Sequence, residues 1–425
     1  MTADIQSLID QVDSRQSELT DLLCKLITFR TPAPPARNTA QAQAFIAAYL
    51  ENLGFSIDKW EMYPGDFNVV GVLKGMDSAG YRSLIVNGHV DVAEVSADEV
   101  WQTGPFEPIV RDGLVIGRGA ADMKGGLAGA LFALKLLREA GYSPPGDITF
   151  QSVIGEEVGE AGTLDCCRRG YTADLAVVVD TSDLHIQGQG GVITGWITVK
   201  SPQSHHDGMR RQMIHAGGGL VAASAIEKMM KIIEGLQDLE RHWAVTKSYP
   251  GCPLGSTTIN PAVIEGGRHA AFVADECRLW ITVHYYPNED HEAIVEEIET
   301  HIRKVADADP WLRDNHPRFR WGGKSMIEDR GEIFPSLELD PEHPGVRLLA
   351  AQYEAVTGTP AVFGVSPTVT DGGWFGHQGI PAAIFGPGKL RHAHSIDEQV
   401  SIWQLVDYTK TMIAFIAEWS STPNS

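Results

Sequence analysis

Cysteine is scarce in this chain, with five among 425 residues. An odd count with Cys166 and Cys167 adjacent leaves neither a disulfide framework nor the paired spacing of a structural zinc site, and it implies a reducing, cytoplasmic setting. Basic residues are also few: 34 Lys and Arg against 55 Asp and Glu give a formal charge of -21. A field of that sign repels phosphate backbones and anionic membrane surfaces, which excludes nucleic acid as a partner. No apolar run approaches the roughly 20 residues that span a bilayer. The opening stretch, residues 1–30, lacks the basic start, apolar centre and small-residue cleavage site of a secretory signal. What the chain does have is apolar material, 43% hydrophobic against 21% charged, enough for large cores. At this length two domains are expected.

Ile5, Leu8, Ile9, Val12, Leu19, Leu22, Leu23 and Leu26 predict one long amphipathic helix, which the prolines of "TPAPPAR" stop. Beyond it, "FNVVGVL", "SLIVNG", "DITFQSVIG" and "LAVVVD" read as strands alternating with the helices "TAQAQAFIAAYLENLG", "GGLAGALFALKLLREAG" and "AGTLDCCRRG". That rhythm predicts an α/β domain with a mainly parallel sheet and helices on both faces. The texture changes near Gly190. "GVITGWITVK" and "CRLWITVHYY" alternate with period two, each followed by or following a helical pattern, which predicts a small inserted α+β layer. The expected division is 1–192 and 331–425 for the α/β domain, with 193–330 inserted.

Several familiar motifs fail on inspection. "GRGAAD" has Asp122 where a dinucleotide fingerprint needs its third glycine, and "GGKS" at 322–325 has Arg318 where a phosphate loop needs its first. No Gly-x-Ser-x-Gly elbow exists, and neither Cys166 nor Cys167 has a positional argument for being a nucleophile. They read as structural thiols.

Five stretches instead place acids or histidines at the ends of apolar runs, where α/β sheets carry functional groups. These are "NGHVD" (His89, Asp91), "GRGAADMKGG" (Asp122), "SVIGEEVGEAGT" (Glu156, Glu157), "AVVVDTS" (Asp180) and "GPGKLRHAHSIDE" (His394). Any one alone is a satisfied polar group or a cap; their joint occurrence is informative. Imidazole and carboxylate without thiolate suit a catalytic zinc or similar ion. Three carboxylates and a hydroxide would neutralise two divalent cations, and one bridging carboxylate would complete both coordination shells. Along an extended strand end, residues two apart face the same way, so the Asp91 carboxylate is predicted to accept a hydrogen bond from the His89 ring. Glu156 and Glu157 are neighbours whose side chains must diverge, leaving one for metal and one for the water, in either assignment.

The order and wording of these motifs make the chain resemble the dinuclear zinc hydrolases that include acetylornithine deacetylase, succinyl-diaminopimelate desuccinylase, aminoacylase-1 and glutamate carboxypeptidase. The likeness spans nearly the whole chain. It implies that His89, Asp122 and Asp180 hold one zinc ion and that Asp122, Glu157 and His394 hold the other, with Co2+ or Mn2+ as substitutes. It also implies Glu156 as general base, a cis bond after Asp122, and a ferredoxin-like insert serving as lid and dimerisation domain. In "SPQSHHDG", His205 occupies the place of the histidine that reaches across the dimer to the oxyanion, with His206 as its neighbour and competitor. Where such enzymes carry a substrate-touching asparagine and arginine, this sequence has Ala271 and His284. Lys389, Arg391 and Arg268 are the remaining cationic candidates for substrate contact, and Trp374 is either a pocket wall or core.

The resulting expectation is a cytoplasmic, homodimeric, two-zinc amidohydrolase acting on a small N-acyl molecule. Acetylornithine deacetylase-like chemistry is the default. The alternatives are a formyl-aminopyrimidine deformylase or small-peptide carboxypeptidase, and a noncatalytic metal- or metabolite-binding relative.

Overall fold

Residues 4–424 are described in the computed structural model. The chain divides into two units, one formed by residues up to Gln189 together with those from Leu337 onward, the other by Gly190–Ser336.

The first unit is α/β. Its eight-stranded sheet runs in the order Phe363–Ser366, Ile186–Gln189, Ala382–Ile384, Leu175–Val178, Leu84–His89, Ile148–Val153, Asp66–Leu73 and Ser56–Tyr63. The four central strands, Ala382–Ile384 through Ile148–Val153, are mutually parallel. Every residue of Leu84–His89 is buried, as a strand covered on both faces requires. The two faces separate with period two: Leu84, Val86, Leu175 and Val177 join the larger core, whereas Ile85, Ala176 and Val178 join a second cluster with Phe375 and Ile384. Helices Lys124–Glu139 and Ile402–Trp419 supply the larger core, and Gly162–Arg168 and Gly372–His377 lie on the opposite side.

Helix Lys124–Glu139 approaches the sheet closely at Gly126, where an added Cβ would stand 1.7 Å from the Val179 carbonyl oxygen. Backbone cannot yield as a flexible side chain can, so Gly126→Ala should cost about 3 kcal/mol, the upper part of the overpacking range. A shift in the urea midpoint with unchanged slope would measure it.

The N-terminal amphipathic segment differs from expectation. It forms two helices, Ile5–Ser14 and Gln16–Thr28, broken at Arg15, whose backbone leaves helical geometry. The Arg15 guanidinium pairs there with Glu18 and with Glu139 of the neighbouring helix. The apolar face survives the break, since Leu8, Val12, Leu19, Leu23 and Leu26 are all buried. Cys166 and Cys167 are buried free thiols, and burial pushes the Cys167 thiol up to about 12, which suits an inert structural role.

The second unit is built on antiparallel strands in the order Thr258–Gly266, Glu276–Tyr285, Gly191–Lys200 and Arg318–Trp321, with Ile333–Phe334 also pairing to Gly191–Lys200. Helices Ala225–Thr246 and His291–Asp307 cover one face, contributing Met229, Ile232, Leu236, Ile294, Ile298 and Ile302 to its core. The stretch "GGLVAASAIEKMMKIIEGL", residues 218–236, is helical in pattern throughout but not in structure. Helix starts only after Ser224, whose hydroxyl accepts the Glu227 amide. Among the described residues, no helix is long and apolar enough to cross a membrane.

Candidate metal centre

Three parallel strands of the first unit end side by side. Their register sets His89 beside Val153 and Asn87 beside Val178, so whatever follows each strand emerges at one end of the sheet. His89 closes Leu84–His89, Glu156 and Glu157 begin the turn after Ile148–Val153, and Asp180 lies just beyond Leu175–Val178. Asp122 precedes helix Lys124–Glu139, and its bond to Met123 is cis. His394 arrives from the loop before strand Gln399–Ser401, in a left-handed conformation with φ 57°.

These groups converge. Asp122 stands between the two histidines, with Oδ1 3.2 Å from His89 Nε2 and Oδ2 3.3 Å from His394 Nε2. On the His89 side, Glu156 Oε2 and Asp180 Oδ2 lie 3.8 and 3.9 Å from the same Nε2. On the other, Glu157 Oε2 lies 3.0 Å from His394 Nε2. The turn Glu156–Val158 therefore sends its adjacent carboxylates to different histidines. Gly155 and Gly159 flank it with φ of 79° and 70°, conformations that only glycine adopts without strain.

The site is electrostatically loaded. Burial, reinforced by the charge of Asp122, pushes the Asp180 carboxyl up to about 7. Burial likewise lifts Glu156 well above the usual carboxylate range, with Glu157 and Asp180 adding to it against the pull of His89. His394, hydrogen-bonded to Asp122 and Glu157, is raised to about 11. Acids packed this densely need positive charge in their midst.

The residues present fit divalent ions. One donor atom each from His89, Asp122 and Glu157 lies within 4.8 Å of the others. Glu157 Oε1 is buried without a hydrogen-bond partner, an arrangement that costs free energy unless a cation takes it. All the donors are nitrogen or oxygen, as a catalytic site without thiolates requires.

Asp91 behaves differently from the sequence expectation. The His89 Nδ1 sits 2.9 Å from the Asp91 backbone carbonyl and 3.8 Å from its carboxylate. A carbonyl only accepts, so in the neutral ring Nδ1 carries the proton and Nε2 presents its lone pair to the site. The carboxylate instead accepts the amides of Gly155 at 2.9 Å and Glu157 at 3.1 Å. It thus anchors the turn that bears both glutamates, because those donors lie closer than the ring.

The other candidates are placed as follows. His205 and His206 belong to the second unit, in a two-residue strand paired with Phe272–Val273. Arg268 is engaged there by Ser204 at 2.6 Å and Asp275 at 3.2 Å. Lys389 lies 3.9 Å from Asp183. Trp374 is buried in the helix Gly372–His377 and is part of the packing. Two buried carboxylates near the centre were not legible in the sequence. Asp371 is pushed up to about 7 by burial, and Glu398 ends the stretch "GPGKLRHAHSIDE" without a role being read for it there.

The donor set at the strand ends is that of a catalytic rather than a structural divalent-metal site. Comparison with known proteins gives the family: the profile of Peptidase family M20/M25/M40 matches residues 85–418, and the chain belongs to that family. It is 64% identical over 421 residues, 99% of either chain, to the N-formyl-4-amino-5-aminomethyl-2-methylpyrimidine deformylase of Bacillus subtilis. It is 60% identical over 415 residues, 98% of this chain and 97% of the other, to the protein of the same name from Halalkalibacterium halodurans. Among solved structures, the YXEP protein of Bacillus subtilis, a dinuclear metal-binding peptidase of the M20 family, is similar with a TM-score of 0.67. The alignment covers 96% of this chain and 99% of that one at 14% identity, so the likeness is one of fold. The chain is an amidohydrolase of this family.

Proposed function

We propose that this chain hydrolyses the N-formyl amide of a formylaminomethyl-pyrimidine, releasing formate and the free amine. The observation that carries the reading is the 64% identity over 421 residues to a deformylase of that substrate. It favours the deformylase alternative over the acetylornithine-like default. The two replaced positions agree with it: Ala271 and His284 stand where a substrate-touching asparagine and arginine are expected from the resemblance. An aminopyrimidine brings no carboxylate for a guanidinium fork to bind, and imidazole cannot make that fork.

In this reading His89, Asp122 and Asp180 would hold one zinc ion and Asp122, Glu157 and His394 the other, Asp122 belonging to both sets. When bound, the ions lower the pKa of a water and polarise the formyl oxygen. Glu156 is the general base. It removes a proton from the attacking water and returns it to the departing nitrogen, so that the C–N bond breaks to give a neutral amine. Asp91 orients the pair of glutamates through the amides of Gly155 and Glu157. The enzyme works in the cytoplasm as a homodimer on a small molecule, with Co2+ or Mn2+ able to replace zinc.

The test is a hydrolysis screen of zinc-loaded protein on N-formyl, N-acetyl, N-succinyl and dipeptide substrates. Release of formate from the formylaminopyrimidine with the highest kcat/KM is expected. Preference for an acetyl or peptide substrate would overturn the assignment, and no turnover of any would favour a noncatalytic relative.

His205 is proposed as an oxyanion donor acting across the dimer, on the resemblance of "SPQSHHDG". Mixing inactive Glu156→Ala and His205→Ala subunits should leave one of the two sites intact in each mixed dimer, so a random 1:1 mixture should recover about a quarter of the wild-type activity. Mixed dimers as inactive as either parent would remove the role in trans.

A further inference from the structure

The loops that carry Asp122 and His394 are fastened to each other by a residue that belongs to neither candidate ligand set. Glu398 is completely buried. Its Oε1 accepts the backbone amides of Ala121 and Asp122, both at 2.9 Å. Its Oε2 accepts the amide of Gly119 at 2.9 Å and the Arg118 Nη1 at 2.8 Å. Its own backbone carbonyl accepts the Gly117 amide at 2.8 Å. One carboxylate thus holds the strand-to-helix passage from Gly119 to Asp122 by three of its four amides.

Arg118 closes the connection from the other side. It is as buried as Glu398, and its guanidinium reaches the carbonyls of Ser395 at 3.3 Å and His394 at 3.5 Å, and that of Glu94 at 3.3 Å. The Trp101 ring covers it, with the guanidinium carbon 5.2 Å from the ring centre. The segment from His394 to Glu398 includes two non-glycine residues in the left-handed region, His394 at φ 57° and Asp397 at φ 56°. Such conformations persist only where the surroundings hold them. Asp397 is tied to Gln102, and strand Gln399–Ser401 pairs with Leu114–Ile116 immediately afterward.

We infer that Glu398, together with Arg118, is a positioning residue that sets the separation of Asp122 and His394, and so fixes the affinity of the centre for its metal ions. This rests on the proposed metal site. Glutamine at 398 keeps the shape but not the function. Its carbonyl oxygen accepts two donors, while its NH2 faces two others, so one pair of bonds is lost whichever way it turns. Groups that hold metal ligands in place typically contribute 10- to 100-fold in metal affinity.

The experiment measures zinc affinity of the metal-free full chain by competition with a chromophoric chelator, alongside circular dichroism to confirm folding. Wild-type protein should bind zinc tightly, and Glu398→Gln should bind it about 10- to 100-fold more weakly while folded. Arg118→Lys, which keeps the charge but cannot span both Glu398 and the two loop carbonyls, should show a smaller loss in the same direction. It is the informative variant if Glu398→Gln does not fold. Folded variants with zinc affinity within threefold of wild type would overturn the inference, because a merely structural residue lowers stability without moving metal affinity. If wild type itself binds no zinc, the metal-site reading fails first and the inference with it, an outcome distinct from equal binding by both proteins.

Discussion

Replacing Glu156 with alanine should lower turnover by about 10²- to 10⁴-fold, the usual contribution of a positioned general base, while leaving the metal content unchanged. Glu156 Oε2 and Asp180 Oδ2 stand at almost the same distance from His89 Nε2, 3.8 and 3.9 Å, so the proposed choice of Asp180 as ligand and Glu156 as base rests on the resemblance. Glu157 makes the contrasting case. At 3.0 Å from His394 Nε2 it falls in the other proposed ligand set, and Glu157→Ala should release metal as well as activity. Formate release together with elemental analysis of both variants separates the two roles. Metal loss from Glu156→Ala with retention in Glu157→Ala would exchange the assignments, and unchanged turnover in Glu156→Ala would remove the base role altogether.

Removing the metal should abolish hydrolysis, and zinc or cobalt should restore it. The physical reason is charge. Glu156, Glu157 and Asp180 are all displaced upward, chiefly by burial, and neighbouring carboxylates add to each displacement. Divalent ions would relieve that repulsion only where the folded chain brings these groups together, so they should also raise its stability. At a free zinc concentration about 1,000 times the dissociation constant, one site contributes about 4 kcal/mol. Thermal unfolding at graded zinc concentrations reads this directly. A melting temperature independent of zinc, or full activity in demetallated protein, would contradict a metal centre built from these groups.

Much of this centre is legible in the sequence because two of the strands that carry it open on uninterrupted apolar runs. In "SLIVNGHVD" and "AVVVDTS" a polar residue at the end of a buried run stands out, and the parallel register then brings His89, Glu156 and Asp180 to one edge. The same clarity applies to the alternation that marks Gly191–Lys200 and Glu276–Tyr285 as half-buried strands. Periodicity, however, records which face is buried and not whether the backbone is continuous. The N-terminal pattern reads as one helix for that reason, although the chain breaks at Arg15 to reach Glu139 on another helix.

Residue type, spacing and apolar context by themselves determined the α/β class and a set of imidazole and carboxylate donors suited to divalent ions. Tertiary structure alone decided which oxygen of Asp91 meets His89, because the competing donors, Gly155 and Glu157, come from a different strand end. It alone exposed Glu398, whose partners Gly119, Ala121 and Asp122 lie 279, 277 and 276 residues away. A local pattern carries the preferences of a residue and its near neighbours, whereas hydrogen bonds of that separation exist only once the chain has closed on itself.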